Sequence, residues 1–172
     1  NGEKFSINKK IYLRKSEVKN FLEKSIIYEH LLEKNIKVIK GTNFDYFSED
    51  SKKNFFKENF LVTKLSDRMG MRLQGPKLKN INDTNIKSEG LVKGIIQVPA
   101  DGNPIIMFSD HGTIGGYPKI AALITADHDK VAQLAPGSEI NFEEVGLSEA
   151  EVLYQNYLKI TKTYLKKINE IN

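Results

Sequence analysis

The residues best suited to chemistry fall in one segment, Asp110-His111-Gly112-Thr113-Ile114-Gly115-Gly116-Tyr117-Pro118-Lys119. Gly112, Gly115 and Gly116 allow backbone N–H groups to converge on an anion or a carbonyl oxygen. The same spacing also serves a tight exposed loop at a barrel rim, where glycine only meets dihedral demands. No Gly-Lys-Ser/Thr follows, so the segment is not a P-loop. Asp110 and Lys119 flank the glycines. An ammonium near a developing oxyanion stabilises it; a lysine lying over Tyr117 at the surface would not. His111 is able to carry a proton near neutral pH.

A second candidate is Asp67-Arg68, at the end of a half-buried strand. Alternation sends the two side chains to opposite faces. Arg68 can hold a carboxylate in a bidentate fork, with Asp67 as base or orienting group. The competing reading is an ordinary ion pair between neighbouring strands, Arg72 with Glu89 for example. Glu89, beside Gly90, reads either as a buried acid or as a turn residue bonded to backbone. Asp110, His111, Asp127, His128 and Asp129 lack the spacing that helices or strands need to present metal ligands, so no metal is expected. The sequence has no cysteine, which removes disulfides, thiolate nucleophiles and zinc-thiolate sites.

These residues sit inside a series of linked motifs. They are Ser66-Asp67-Arg68-Met69-Gly70-Met71-Arg72-Leu73, Ser88-Glu89-Gly90, Gln97-Val98-Pro99-Ala100-Asp101-Gly102 and Gly115-Gly116-Tyr117-Pro118-Lys119-Ile120-Ala121. In this order they resemble the family of the 5-oxoprolinase C subunit, also called KipA-like or allophanate hydrolase subunit 2. That family is related to the carboxyltransferase domain of urea carboxylase. The resemblance covers residues 37–145. One position departs from it: Gly112 stands where the family pattern has Gln.

The resemblance implies a cyclophilin-like β-barrel. It assigns catalytic roles to Arg68, Asp110 and Lys119. It assigns substrate binding to Asp67, Glu89, Gln97, Gly115, Gly116 and Tyr117, and the glycine spacing adds Gly112. It further implies the C subunit of an ATP-dependent 5-oxoprolinase, opening 5-oxo-L-proline to L-glutamate with an A subunit and a KipI-like B subunit. ATP would be shared with, or bound by, another subunit. Two alternatives follow from the same family. One is a biotin-dependent carboxyltransferase, its biotin on another polypeptide because no Met-Lys-Met occurs here. The other is a regulatory protein that antagonises KipI. Family members are roughly twice this length, on the scale of two-domain chains. Residues 36–172 are therefore expected to be the C-terminal half of a full protein, and residues 1–35 a linker or partial N-terminal segment. The chain alone is expected to be inactive.

The elements that must position these groups are mostly strands. The chain has 172 residues, enough for one domain with its own core. Its net charge of +4 is unevenly placed: residues 1–67 hold 14 Lys/Arg against 10 Asp/Glu, and residues 68–147 hold 8 against 9. The motif-bearing region is near neutral, which argues against a nucleic-acid surface. No apolar run reaches the length of a membrane span, and the cytoplasm is the expected location. Strands are expected within 5–13 and at 36–39, 60–65, 69–74, 91–98, 104–109, 120–125 and 139–145. Asp101-Gly102 turns one hairpin, and Gly94 marks a bulge or a close backbone approach. Helices are expected at 16–35, from a Ser48 cap to residue 58, from an Asp127 cap over 129–134, and from a Ser148-x-x-Glu151 capping box to 168. This is a mainly β chain with a few helices: a closed sheet and a long C-terminal helix.

Overall fold

The computed structural model describes residues 35–81 and 85–169. The strands expected within 5–13 and the helix expected from Ser16 lie outside those residues. Seven strands close a barrel in the order β1 (Asn35–Lys40), β8 (Lys119–Leu123), β5 (Ile95–Gln97), β6 (Ile105–Met107), β3 (Gly70–Gln74), β2 (Phe60–Val62) and β9 (Glu139–Glu144). β9 returns to β1 in parallel, and the other barrel pairings are antiparallel. β4 (Glu89–Gly90) and β7 (Ile114–Gly115) form a separate two-stranded ribbon. The glycine segment, expected as a loop, thus carries a short strand.

Period-two alternation builds the barrel wall. Met71, Leu73, Ile96 and Ile106 point inward and are at most 2% exposed. Arg72, Gln97, Ile105 and Met107 take the opposite face. β2 stops at Val62, short of the expected residue 65, where Thr63 Oγ1 accepts from the Leu65 N–H (3.3 Å) in a side-chain turn. Gly94 takes φ +88 just before β5, so the strand begins after it, at Ile95, rather than at 91. A Cβ at Gly94 would lie 2.5 Å from His128 Nε2, which explains the glycine. Gly102, at φ +76, turns the β5–β6 hairpin.

α1 (Glu49–Lys57) starts at Ser48, whose hydroxyl accepts from the Ser51 N–H (3.2 Å). It delivers Phe55 into the core, stacked on Phe142 with centroids 4.5 Å apart, and Phe60 packs at 5.7 Å from Phe142. Each such ring contributes about 1.5–3 kcal/mol by burial, with ring pairing adding about 0.5–1.5. α3 (Leu147–Asn169) begins one residue before Ser148. Ala150 N–H donates to the Gly146 carbonyl, so Gly146 stands at the cap position expected for Ser148. Ala150, Leu153 and Tyr157 of its stripe pack on Ile124, Ala126 and Val145, outside the barrel.

α2 (His128–Ala132) follows a 3-10 turn, and here the expected cap fails. The Asp127 carboxylate does not bond the helix N-terminus. It accepts from the Lys37 backbone N–H (2.8 Å) and pairs with Lys130 (3.0 Å). At 1% exposure its oxygens must be satisfied, and an ammonium and a β1 N–H do so.

Candidate functional site

The site is built on the outer face of the barrel. Cα partners Arg72–Ile105 and Ile105–Gln97 set one row across β3, β6 and β5. A register shift between β5 and β8 then brings Lys119 opposite Gln97. This bulge extends the row, so that Arg72, Ile105, Gln97 and Lys119 follow one another across four strands. The next row pairs Gly70 with Met107. A Cβ at Gly70 would come within 3.0 Å of Ile105 Cγ2, so the missing side chain keeps this face open.

The ribbon covers one end of that face. Gln97 and Lys119 are each 3% exposed although they point away from the barrel core. A Cβ at Gly115 would lie 2.7 Å from Gln97 Nε2 and 2.9 Å from Leu91 Cδ1, so the ribbon rests on Gln97 only because residue 115 is glycine. Gln97 Nε2 donates to the Tyr117 carbonyl (3.1 Å). Lys119 Nζ reaches Glu89 Oε2 at 2.5 Å, tying β8 to β4. Asn43, itself 4% exposed, fixes the backbone: its Oδ1 accepts from the Lys119 N–H (3.0 Å).

On the sheet beside the ribbon lies a cavity of about 190 Å³, bounded by Asp67, Gly70, Arg72, Gln97, Ile105, His111, Gly112 and Tyr117. Asp67 Oδ1 accepts from the Met69 (2.8 Å) and Gly70 (3.1 Å) N–H groups, so this carboxylate also holds the turn into β3. His111 Nδ1 is 2.6 Å from the Gly112 carbonyl. A carbonyl only accepts, so Nδ1 carries the hydrogen and Nε2 is the atom able to take a proton. Across Asp67 lies a wider depression of about 590 Å³, lined by Arg68, Asp110, Ser66, Phe108 and Leu134 among others. Arg68 Nη2 meets Asp110 Oδ2 there at 2.8 Å. The Arg68 side chain is 87% exposed, so this pair contributes little to stability.

The structure therefore gathers Asp67, Gln97, Gly112 and Tyr117 around one cavity. It sets Arg68 and Asp110 in the neighbouring depression. Lys119 and Glu89 form a strut beneath the ribbon that Gly115 and the following Gly116 complete. The alternative pairing of Arg72 with Glu89 does not occur, since Glu89 pairs with Lys119. The motifs assign no site role to two of the cavity residues, Arg72 and His111. Alternation from Gly70 carries the signal for Arg72: it puts Arg72 on the face that Gly70 leaves open. Among the described residues no group of three or more His, Cys, Asp or Glu side chains is placed to hold a metal ion, and no helix is long and apolar enough to cross a membrane.

Comparison with known proteins adds a family. The profile described as carboxyltransferase domain, subdomain A and B, matches residues 2–144. The 5-oxoprolinase C subunit of Escherichia coli (strain K12) is 39% identical over 115 residues, covering 67% of this chain and 37% of that protein. The 5-oxoprolinase C subunit of Haemophilus influenzae is 36% identical over 136 residues, covering 79% of this chain and 43% of that protein. The match thus spans less than half the length of either relative. The crystal structure of the K. lactis urea amidolyase superposes with a TM-score of 0.69 at 30% identity, covering 73% of this chain and 8% of that one.

Proposed function

The chain belongs to the carboxyltransferase-domain family, subdomains A and B, and from that premise we propose that it is part of the C subunit of an ATP-dependent 5-oxoprolinase. In this reading it holds the lactam carbonyl of 5-oxo-L-proline while partner A and B subunits, the latter KipI-like, complete the reaction. Water opens the lactam C–N bond, its oxygen enters the new carboxylate, and the ring nitrogen leaves as the amine. ATP hydrolysis to ADP and phosphate drives the step. The observation that carries the reading is the cavity itself: a polar side chain, a glycine backbone and a histidine converge on a space sized for one small ring. Two 5-oxoprolinase relatives share 36–39% identity with the chain that forms it.

The cavity does not fit a nucleoside triphosphate. Its volume of about 190 Å³ is small beside the roughly 300–1,000 Å³ of clefts for drug-sized ligands. Two of the three nearby cations are also engaged, Arg68 with Asp110 and Lys119 with Glu89. We therefore assign ATP to another subunit. What this chain supplies is position and polarity. Lys119 and Glu89 hold the ribbon over the sheet, Gln97 and the Gly112 backbone face the carbonyl end, and His111 Nε2 is able to accept a proton from attacking water. The Arg68–Asp110 pair borders the entrance.

The K. lactis match supports a second reading, a carboxyltransferase acting with biotin carried on another polypeptide. Co-expression of the full-length protein with its A and B partners decides between them. The first reading predicts 5-oxoproline-dependent ATP hydrolysis by the complex. Urea-dependent transfer of the carboxyl group from carboxybiotin to a urea nitrogen, without 5-oxoproline turnover, would replace it with the second.

A further inference from the structure

The cavity has a charge that the carbonyl chemistry does not use. Arg72 projects from β3 on the outer face and lines it, and it forms no ion pair with any described residue. Asp101 is close enough to feel its charge, but the Asp101 oxygens accept from the Asn103 backbone (3.1 Å) and side-chain amide (2.7 Å) instead. The Arg72 backbone is fixed by the Ser66 hydroxyl, which accepts from its N–H at 3.0 Å. A guanidinium at the edge of a small cavity, with its fork unpaired among the described residues, is suited to a carboxylate.

Its place in the row adds a second constraint. Arg72 and Gln97 stand two strands apart, about 10 Å at the backbone from the usual strand spacing. Ile105 lies between them as an apolar floor. A small ring lying on Ile105 would put one end on Arg72 and the other against Gln97 and the glycine segment. We infer that Arg72 is the carboxylate anchor of this cavity, so that the site takes a small cyclic amide bearing a carboxylate and discriminates against neutral amides. The inference rests on the reading of this cavity as the amide site. 5-Oxo-L-proline has the required carboxylate on the ring atom beside the lactam nitrogen. Urea and 2-pyrrolidinone have none.

The test is an amide-detected NMR titration of the full-length protein with 5-oxo-L-proline, 2-pyrrolidinone and urea, for the wild type, Arg72→Gln and Arg72→Lys. Arg72 is exposed, and thermal melting verifies that both variants fold. The expected result is 5-oxoproline binding on the order of 30-fold tighter than 2-pyrrolidinone, as one charge-assisted contact gives. Arg72→Gln should collapse that ratio to within about threefold, and Arg72→Lys should restore part of it, since a lysine keeps the charge without the fork. Equal binding of the two lactams by the wild type, or a preference that survives Arg72→Gln, overturns the anchor while leaving the amide site in place. No shift at Gln97, Gly112 or Tyr117 with any of the three ligands overturns the amide site and the anchor together.

Discussion

Two lysines in this molecule are almost equally buried, yet their carboxylate partners are placed very differently. Lys130 and Asp127 are both 2% exposed at the side chain and lie one helical turn apart in the corner between β8 and α2. Asp127 adds a bond to the β1 backbone, so the pair locks together elements that are already close. Lys119, at 3%, reaches a Glu89 that is 46% exposed, and the bridge spans from the barrel wall to the separate ribbon. The first pair is sealed inside the fold. The second joins a rigid sheet to a two-stranded piece with few bonds of its own, and the cavity opens beside it. Burial of a lysine alone therefore does not separate a pair sealed inside the fold from one that ties the ribbon to the barrel; the exposure of its partner does.

The comparison is broken most severely at the sealed corner. Asp127→Ala removes an acceptor and one half of a buried pair, and should cost about 3–5 kcal/mol. Denaturant unfolding should show a lower midpoint at unchanged slope. Lys119→Met should cost less, about 1 kcal/mol, because Glu89 can rehydrate at the surface and methionine fills much of the space. Its larger signature should be local: hydrogen exchange at the Leu91 N–H, bonded to the Thr113 carbonyl (3.0 Å) beside the ribbon, should accelerate about tenfold. If Lys119→Met destabilises as much as Asp127→Ala, the two pairs do the same work and the distinction fails.

The smallest effect is a pH dependence in the corner. Burial, and then Lys93, hold the His128 pKa below its ordinary value of 6.5, against the opposing pull of Asp129. The folded protein keeps this ring neutral, while the unfolded chain takes the proton more readily. The associated stability is complete above pH 6.5 and is lost as pH falls through the lower folded value. His128→Gln should flatten the stability profile below pH 6.5, measured by thermal unfolding across that range. An unchanged slope would show that other groups set it.

The barrel was largely legible in the sequence. Alternation across 69–74 and the Asp101-Gly102 turn predict β3 and the β5–β6 hairpin because one face of each strand is apolar. Strand ends were less legible: β2 stops before Thr63 and β5 starts after Gly94 because of local turn bonds and a contact with His128, and neither leaves a trace in periodicity. The ribbon was missed for a related reason. β4 and β7 have two residues each, too short for any pattern, and depend on contacts with Gln97 and Lys119. The Asp127 cap failed because its carboxylate found a distant partner, the Lys37 N–H, that local sequence does not reveal. Of the candidate site residues, the motifs supplied Asp67, Gln97 and Tyr117 around the cavity, and the glycine spacing supplied Gly112. Arg72 needed the barrel register to place it.

We propose that the amide carbonyl is handled in the cavity beside the ribbon, bounded by Gln97, Gly112 and Tyr117. Gly112 offers a direct way to fill it. Its backbone does not require glycine, since φ is not positive and a Cβ would meet only the Ile114 carbonyl at an ordinary 3.5 Å. Gly112→Phe should therefore fold while placing a ring at the cavity. The measurement is 5-oxoproline-dependent ATP hydrolysis by the full-length complex, wild type against Gly112→Phe, with thermal stability matched. The account predicts a loss on the order of 100-fold or more, as misplacement of a reacting group produces. Turnover within about threefold of wild type, under 1 kcal/mol of barrier, would contradict it.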